Sequence, residues 1–180
     1  MLVKTAPVAG WVAAARLLLI AAATILGLGQ ALALDPLPAP TGPVILTVAG
    51  DLEVTNSDEG ADFDREMLYA LGLTDLVTTT AWTDGPQTFR GVALQTVLDR
   101  VGAKGTTIKA TALNDFRTSI PYEEAAKYNV LLASEMNGEE MSVRDRGPLW
   151  IVYPRSDFSE LQAPEYNDRW AWQLRTLEIE

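Results

Sequence analysis

Beyond its first thirty-odd residues the chain alternates short β-branched or apolar runs with turn-forming clusters, and the spacing of an amphipathic helix appears only over brief spans. Val44-Ile45-Leu46-Thr47-Val48, ended by Ala49-Gly50, predicts a strand, and Leu52-Glu53-Val54-Thr55, ended by Asn56-Ser57-Asp58, predicts a second that pairs with it as a hairpin. Phe63, Met67 and Leu71 fall at helical spacing within 62–71, with acidic residues in the first turn and Gly72 as a stop. Asp75 to Ala81 has the Thr-rich composition of a strand, Trp82 to Gln87 is turn chemistry, and Val92, Leu94, Val97, Leu98 and Val101 mark a helix closed by Gly102.

In the second half Thr107 to Leu113 reads as a strand broken by Asn114 and Asp115, and Pro121 to Lys127 as a short helix with proline in its first turn. Val130 to Ser134 and Leu149 to Tyr153 are apolar strands with an Asn137-Gly138 turn between them. Trp170 to Leu177 alternates with period two, as a final strand would. No internal repeat is present. Strands outnumber helices and the helices are short, which predicts an α+β domain built on a mixed β-sheet.

The N-terminus has a different character. Lys4 and Arg16 precede an apolar run from Leu17 to Gly29, and Ala31-Leu32-Ala33 supplies a small-x-small cleavage step. Residues 1–33 are therefore expected to be a signal peptide, with an uncleaved anchor as the alternative, and the mature chain is expected in the periplasm. Residues 34–43 carry four prolines and read as an extended linker, which leaves 44–180 as the folded domain. Loss of Lys4 and Arg16 takes the formal charge from −10 to −12. Such a surface repels nucleic-acid phosphates.

The chain contains no cysteine and no histidine. Thiolate and imidazole are the usual protein ligands of zinc, haem iron, iron–sulfur clusters and many redox metals, so no metal site is expected. Asp51, Asp58, Glu59, Asp62 and Asp64 form an acidic cluster, but without the alternating oxygen ligands of a calcium loop it reads as a solvated face. Ser119 and Ser134 have no histidine base for hydrolysis.

Four segments in order, Thr88-Phe89-Arg90-Gly91-Val92-Ala93-Leu94, Asn114-Asp115-Phe116-Arg117-Thr118-Ser119-Ile120-Pro121, Leu132 to Met141 and Gly147-Pro148-Leu149-Trp150-Ile151-Val152-Tyr153-Pro154, resemble the molybdopterin-binding domain of the sulfite oxidase family. In molybdenum-binding members of that family a cysteine precedes the Phe-x-Gly-Val-x-Leu segment; here the neighbourhood is Ala81-Trp82-Thr83-Asp84-Gly85. An indole cannot ligate molybdenum but offers a flat face to a fused heterocycle. Phe116 stands where related enzymes often carry a tyrosine. The pattern is similar to a subgroup of cysteine-less exported proteins of the same fold that bind free reduced pterins. That resemblance implies a non-catalytic pterin-binding protein, without molybdenum, that reports to the periplasmic domain of a membrane protein with cyclic-di-GMP synthase and phosphodiesterase domains.

A pterin presents an amino group and a ring N–H side by side, a match for a carboxylate. Asp115 is the candidate acceptor, with a turn-capping carboxylate as its alternative role, and Asn114 can serve the carbonyl edge or an Asx turn. Arg117 can donate to the ring carbonyl, while Arg90 and Arg155 can line the mouth. Trp82 ranks first among the candidate stacking platforms, followed by Phe89, Trp150, Trp170 and Trp172, of which Trp150 in its apolar strand is also a natural core residue. Two other functions compete: an oxidoreductase that takes molybdopterin through a non-cysteine ligand such as Thr83 or Asp84, and a degenerate protein-interaction module whose own side chains close the pocket.

Overall fold

Ten strands and three short helices follow one another in the computed structural model, which describes residues 33–180. The expected signal peptide, 1–33, lies outside the described residues except for Ala33. Residues Leu34–Glu180 form one compact unit. The strands are β1 (Val44–Gly50), β2 (Ala61–Asp64), β3 (Thr74–Thr79), β4 (Pro86–Ala93), β5 (Thr107–Ala112), β6 (Arg117–Pro121), β7 (Leu131–Met136), β8 (Glu139–Glu140), β9 (Trp150–Val152) and β10 (Leu174–Ile179). The helices are α1 (Arg65–Ala70), α2 (Leu94–Arg100) and α3 (Glu124–Lys127), with two 3₁₀ turns at Ser159–Gln162 and Pro164–Arg169.

The strands form two sheets. The first runs β2-β1-β10-β5-β6 and is mixed, because β10 enters parallel to β1 while its other pairings are antiparallel. The second runs β3-β4-β7-β8, with β9 also on β7, and is antiparallel. A single core draws Leu46, Val48, Ile108, Leu174 and Leu177 from the first sheet and Phe89, Val92, Leu132, Trp150 and Ile151 from the second. This is the α+β architecture that the run of strand signals predicts.

Local differences from the sequence expectation have identifiable causes. Leu52 to Thr55 is not a strand: Glu53 and Val54 donate their backbone N–H to the Val101 carbonyl, and the partner of β1 is β2. Asp62 and Phe63 belong to β2 rather than to a helix, since Phe63 is drawn fully into the core opposite Leu46. The helix starts at Arg65, where the Asp64 carboxylate caps it by accepting from the Met67 N–H at 2.9 Å. Val92 belongs to β4, which ends at Ala93, and α2 begins at Leu94. Pro121 closes β6, whose only buried residue is Ile120, too weak a signal to predict a strand. Asn137 and Gly138 do form a turn with positive φ at both residues, but it joins β7 to the two-residue β8 rather than to β9.

The proline-rich stretch 34–43 forms neither helix nor strand, yet it does not stand clear of the domain. Arg100 donates to the Asp35 and Pro36 carbonyls, Leu37 is buried, and the backbone N–H groups of Thr41 and Gly42 reach the Asp64 carboxylate at 2.8 Å each. In Phe89-Arg90-Gly91-Val92 the glycine has a structural cause. The pairing of β4 with β7 slips between Arg90 and Gly91, and a Cβ on Gly91 would sit 2.0 Å from the Leu132 carbonyl oxygen. Among the described residues, no helix is long and apolar enough to cross a membrane.

Candidate functional site

The turn between β3 and β4 carries Trp82. Its backbone N–H donates to Thr80 Oγ1 at 3.0 Å, Thr80 and Thr83 share a hydroxyl contact at 2.8 Å, and the Arg146 guanidinium donates to the Trp82 carbonyl at 3.3 Å. These bonds fix a segment that makes no strand ladder of its own. Trp82 is consequently held with its indole against three others: centroids lie 5.5 Å from Trp172, 5.6 Å from Trp170 and 6.3 Å from Trp150. Trp150 packs edge-on over Phe89 at 5.3 Å, and the Arg146 guanidinium lies 5.0 Å from the Trp150 ring.

Beside this cluster is a cavity of about 200 Å³ lined by Trp82, Asn114, Phe116, Asn167, Asp168, Trp170 and Trp172. It exceeds the ~150 Å³ apolar cavity that accepts benzene, so it has room for a larger flat ring. The interplanar angles of 56° between Trp82 and Trp170 and 82° between Trp82 and Trp172 make it a box of faces and edges rather than a parallel slot. A ring entering it can stack on one indole while the others meet its rim.

The polar groups come from two turns. In the β5–β6 turn Asn114 Oδ1 accepts from the Phe116 N–H at 3.1 Å, an Asx turn that leaves the amide nitrogen without a partner among the described residues. Phe116 is 43 % exposed at the cavity. The second turn is the 3₁₀ segment Pro164–Arg169, which contributes Asn167 and the Asp168 carboxylate. That segment is anchored from behind, where Arg169 pairs with the buried Glu124 carboxylate, which also accepts from the Tyr153 hydroxyl at 3.0 Å. Burial and the neighbouring Glu124 charge push the Tyr153 phenol well above the ordinary tyrosine range, while Glu124 holds Arg169 firmly protonated against its own partial burial.

Of the residues singled out in the sequence, the fold brings Trp82, Asn114 and Phe116 together on the cavity wall. Phe89 and Trp150 are fully buried behind that wall. Asp115 occupies the positive-φ position of the β5–β6 turn, exposed and outside the lining. Arg117 faces a different concavity, Arg90 pairs with Asp75 at 3.5 Å, and Arg155 reaches Thr79. Thr83 is bonded to Thr80, and neither it nor Asp84 lines the cavity. Among the described residues no group of three acidic side chains is placed to share a metal ion. Sequence reading missed Asn167 and Asp168 as site residues; the Asn167-Asp168-Arg169-Trp170 run, polar residues abutting the Trp170-Ala171-Trp172 pair of indoles, was the available signal.

Comparison with known proteins places this geometry in a family context. The family model described as the oxidoreductase molybdopterin binding domain matches residues 63–158. The crystal structure of the sulfane dehydrogenase SoxCD from Paracoccus pantotrophus shares the fold, with a TM-score of 0.55 and 21 % identity over 74 % of this chain. The chain spans 37 % of the length of that one. No curated protein matches. Trp82, Asn114 and Phe116 lie within the matched stretch, whereas Asn167, Asp168, Trp170 and Trp172 lie beyond it.

Proposed function

Because the chain belongs to the oxidoreductase molybdopterin binding domain family and its cavity is walled by indoles and amides in place of a thiolate, we propose that it is a non-catalytic binding protein for a free reduced pterin. The fit of the family's cofactor is the first consideration. Seven side chains line the cavity, none of them a sulfur or imidazole donor and none a cation. Two neighbouring guanidiniums are committed elsewhere, Arg169 to Glu124 and Arg146 to the Trp82 carbonyl and the Trp150 ring, and Arg117 lines a different concavity. A metal-dithiolene with a phosphate tail finds neither its ligand nor its counter-charge in such a donor set, and no step is derived through it.

An uncharged bicyclic ring is a different case. The observation that carries the reading is the pairing of an indole box with a single carboxylate at its edge. Asp168 supplies two acceptor oxygens for the amino and ring N–H groups of a pterin, the Asn114 amide nitrogen supplies a donor for its carbonyl, and Trp82, Trp170 and Trp172 supply apolar contact. The residues would bind and orient the ring and exclude water from its faces. None of them is placed as an acid–base pair for turnover.

The wider role follows from the resemblance to cysteine-less exported pterin binders and from the signal-like leader: a periplasmic protein that regulates a membrane partner with cyclic-di-GMP domains. Titration of the purified protein with dihydropterin and tetrahydropterin under anaerobic conditions, read by tryptophan fluorescence, is the direct test. Saturable quenching at micromolar ligand is expected. Absence of binding for every reduced pterin, or stoichiometric molybdenum in protein from its native host, would overturn the reading.

A further inference from the structure

We propose that the surface on the far side of the β5–β6 turn is a docking site for an extended segment of a partner protein that is apolar at its centre and carries carboxylates at one end. The residues here are a different set from those of the tryptophan cavity. Three of the exposed large apolar side chains, Val44 (48 % exposed), Leu113 (42 %) and Val143 (51 %), line one groove of about 670 Å³ with Ile45 and Pro148. Isolated exposed apolar residues are ordinary; three in one groove are not. Its size exceeds three times that of the ligand cavity and suits a short stretch of chain.

The charge at one end identifies the occupant. Arg175 lines this groove and also the adjoining concavity of about 550 Å³, where Lys109 and Arg117 join it across the outer face of β5, β6 and β10. Lys109 pairs with Glu180 and one further carboxylate, Glu178, lies among these groups, whereas Arg117 and Arg175 make no ion pair among the described residues. Two guanidiniums without an ion pair in one concavity give this face local positive charge on a chain of net charge −10. At the opposite wall Asp64 is consumed by the Thr41, Gly42 and Met67 N–H groups and Arg65 by Glu140, which leaves Glu66 as the one acidic group to be avoided there. A segment with an apolar centre and acidic groups toward Arg175 satisfies both ends.

The surface and the ligand cavity share one element. Leu113 lines the groove, Asn114 and Phe116 line the cavity, and Arg117 lines the basic concavity, so four of the five residues 113–117 serve all three. The docking site itself does not depend on the pterin reading.

Selection of a random 12-residue peptide display library on protein expressed from the full chain tests the proposal. The expected result is enrichment of apolar sequences flanked by Asp or Glu, with affinity reduced at least tenfold by Leu113→Asp and by Arg175→Glu. Arg175→Glu should also turn the preference of a second selection from acidic to basic flanks, an outcome that local misfolding cannot produce. Near-ultraviolet circular dichroism of the tryptophan cluster confirms that each variant is folded. The proposal is overturned if no peptide is enriched, if enriched peptides bind both variants undiminished, or if Leu113→Asp instead abolishes a self-association of the wild type, which would assign the groove to a second copy. Neither Leu113 nor Arg175 lines the tryptophan cavity, so the two variants are expected to match the wild type in pterin titration, and failure here is separable from failure of the ligand reading.

Discussion

Trp82 and Asp168 line one cavity and meet only through the fold, and the proposed pterin binding makes both testable. Trp82→Ala removes a wall that touches three other indoles, so pterin affinity is expected to fall at least tenfold in fluorescence titration, with Trp172→Ala comparable. Asp168→Asn replaces one acceptor oxygen with a donor against the ligand's own N–H groups and should cost a similar factor or more, whereas Asp115→Asn, on an exposed turn outside the lining, should leave binding within about twofold. Behind the cavity, Glu124→Gln leaves Arg169 partly buried without its anion, and a loss of roughly 1–3 kcal/mol in urea denaturation is expected, discounted because the guanidinium keeps some contact with water. The raised Tyr153 phenol adds a pH signature. Its protonated form contributes stability that is complete below about pH 10 and is lost as pH rises beyond it, so the alkaline fall in melting temperature should be shallower in Tyr153→Phe.

Among the elements, the junctions carry more than the regular spans. Asp64 ends β2, caps α1 and clamps the Thr41–Gly42 backbone, and these N–H donors hold its carboxyl below the usual carboxylate range. A carboxyl so depressed contributes stability present above its ordinary pKa and lost as pH falls through the folded value, so the melting temperature should drop below about pH 4, and Asp64→Asn should flatten that drop. The β5–β6 turn is legible in Asn114-Asp115, but which of its side chains meets the ligand was not. Alternation along a strand stops at a turn, and the positive φ of Asp115 directs the chain so that Asn114 and Phe116, not Asp115, reach the cavity wall. Likewise Leu52 and Val54 carry apolar side chains that pack on the core without any ladder, a state that composition alone cannot distinguish from a strand.

For the molecule as a whole, two features were open to reading along the chain: an apolar N-terminal run from which export is expected, and an excess of short strands. The first yields a direct measurement, in which intact mass of protein from the native host should show a start near Leu34 and fractionation should place it in the periplasm; a full-length membrane-bound form would point to the anchor instead. The second is realised as two sheets around one core, because period-two alternation reports which face of each strand is buried and that information is local. The absence of cysteine and histidine was equally plain in the residues themselves, whereas the Trp82 turn standing in the place of a metal ligand is what the family resemblance implies. The cavity was not. Insertion of β10 between β1 and β5 carries the segment before it back against the β3–β4 turn, so that Asn167, Asp168, Trp170 and Trp172 meet Trp82 across more than eighty residues of chain. Strand order in a sheet depends on which distant pairings bury most surface together, a property of the assembled core that no periodicity records, and it alone decided that three tryptophans became a wall with an opening.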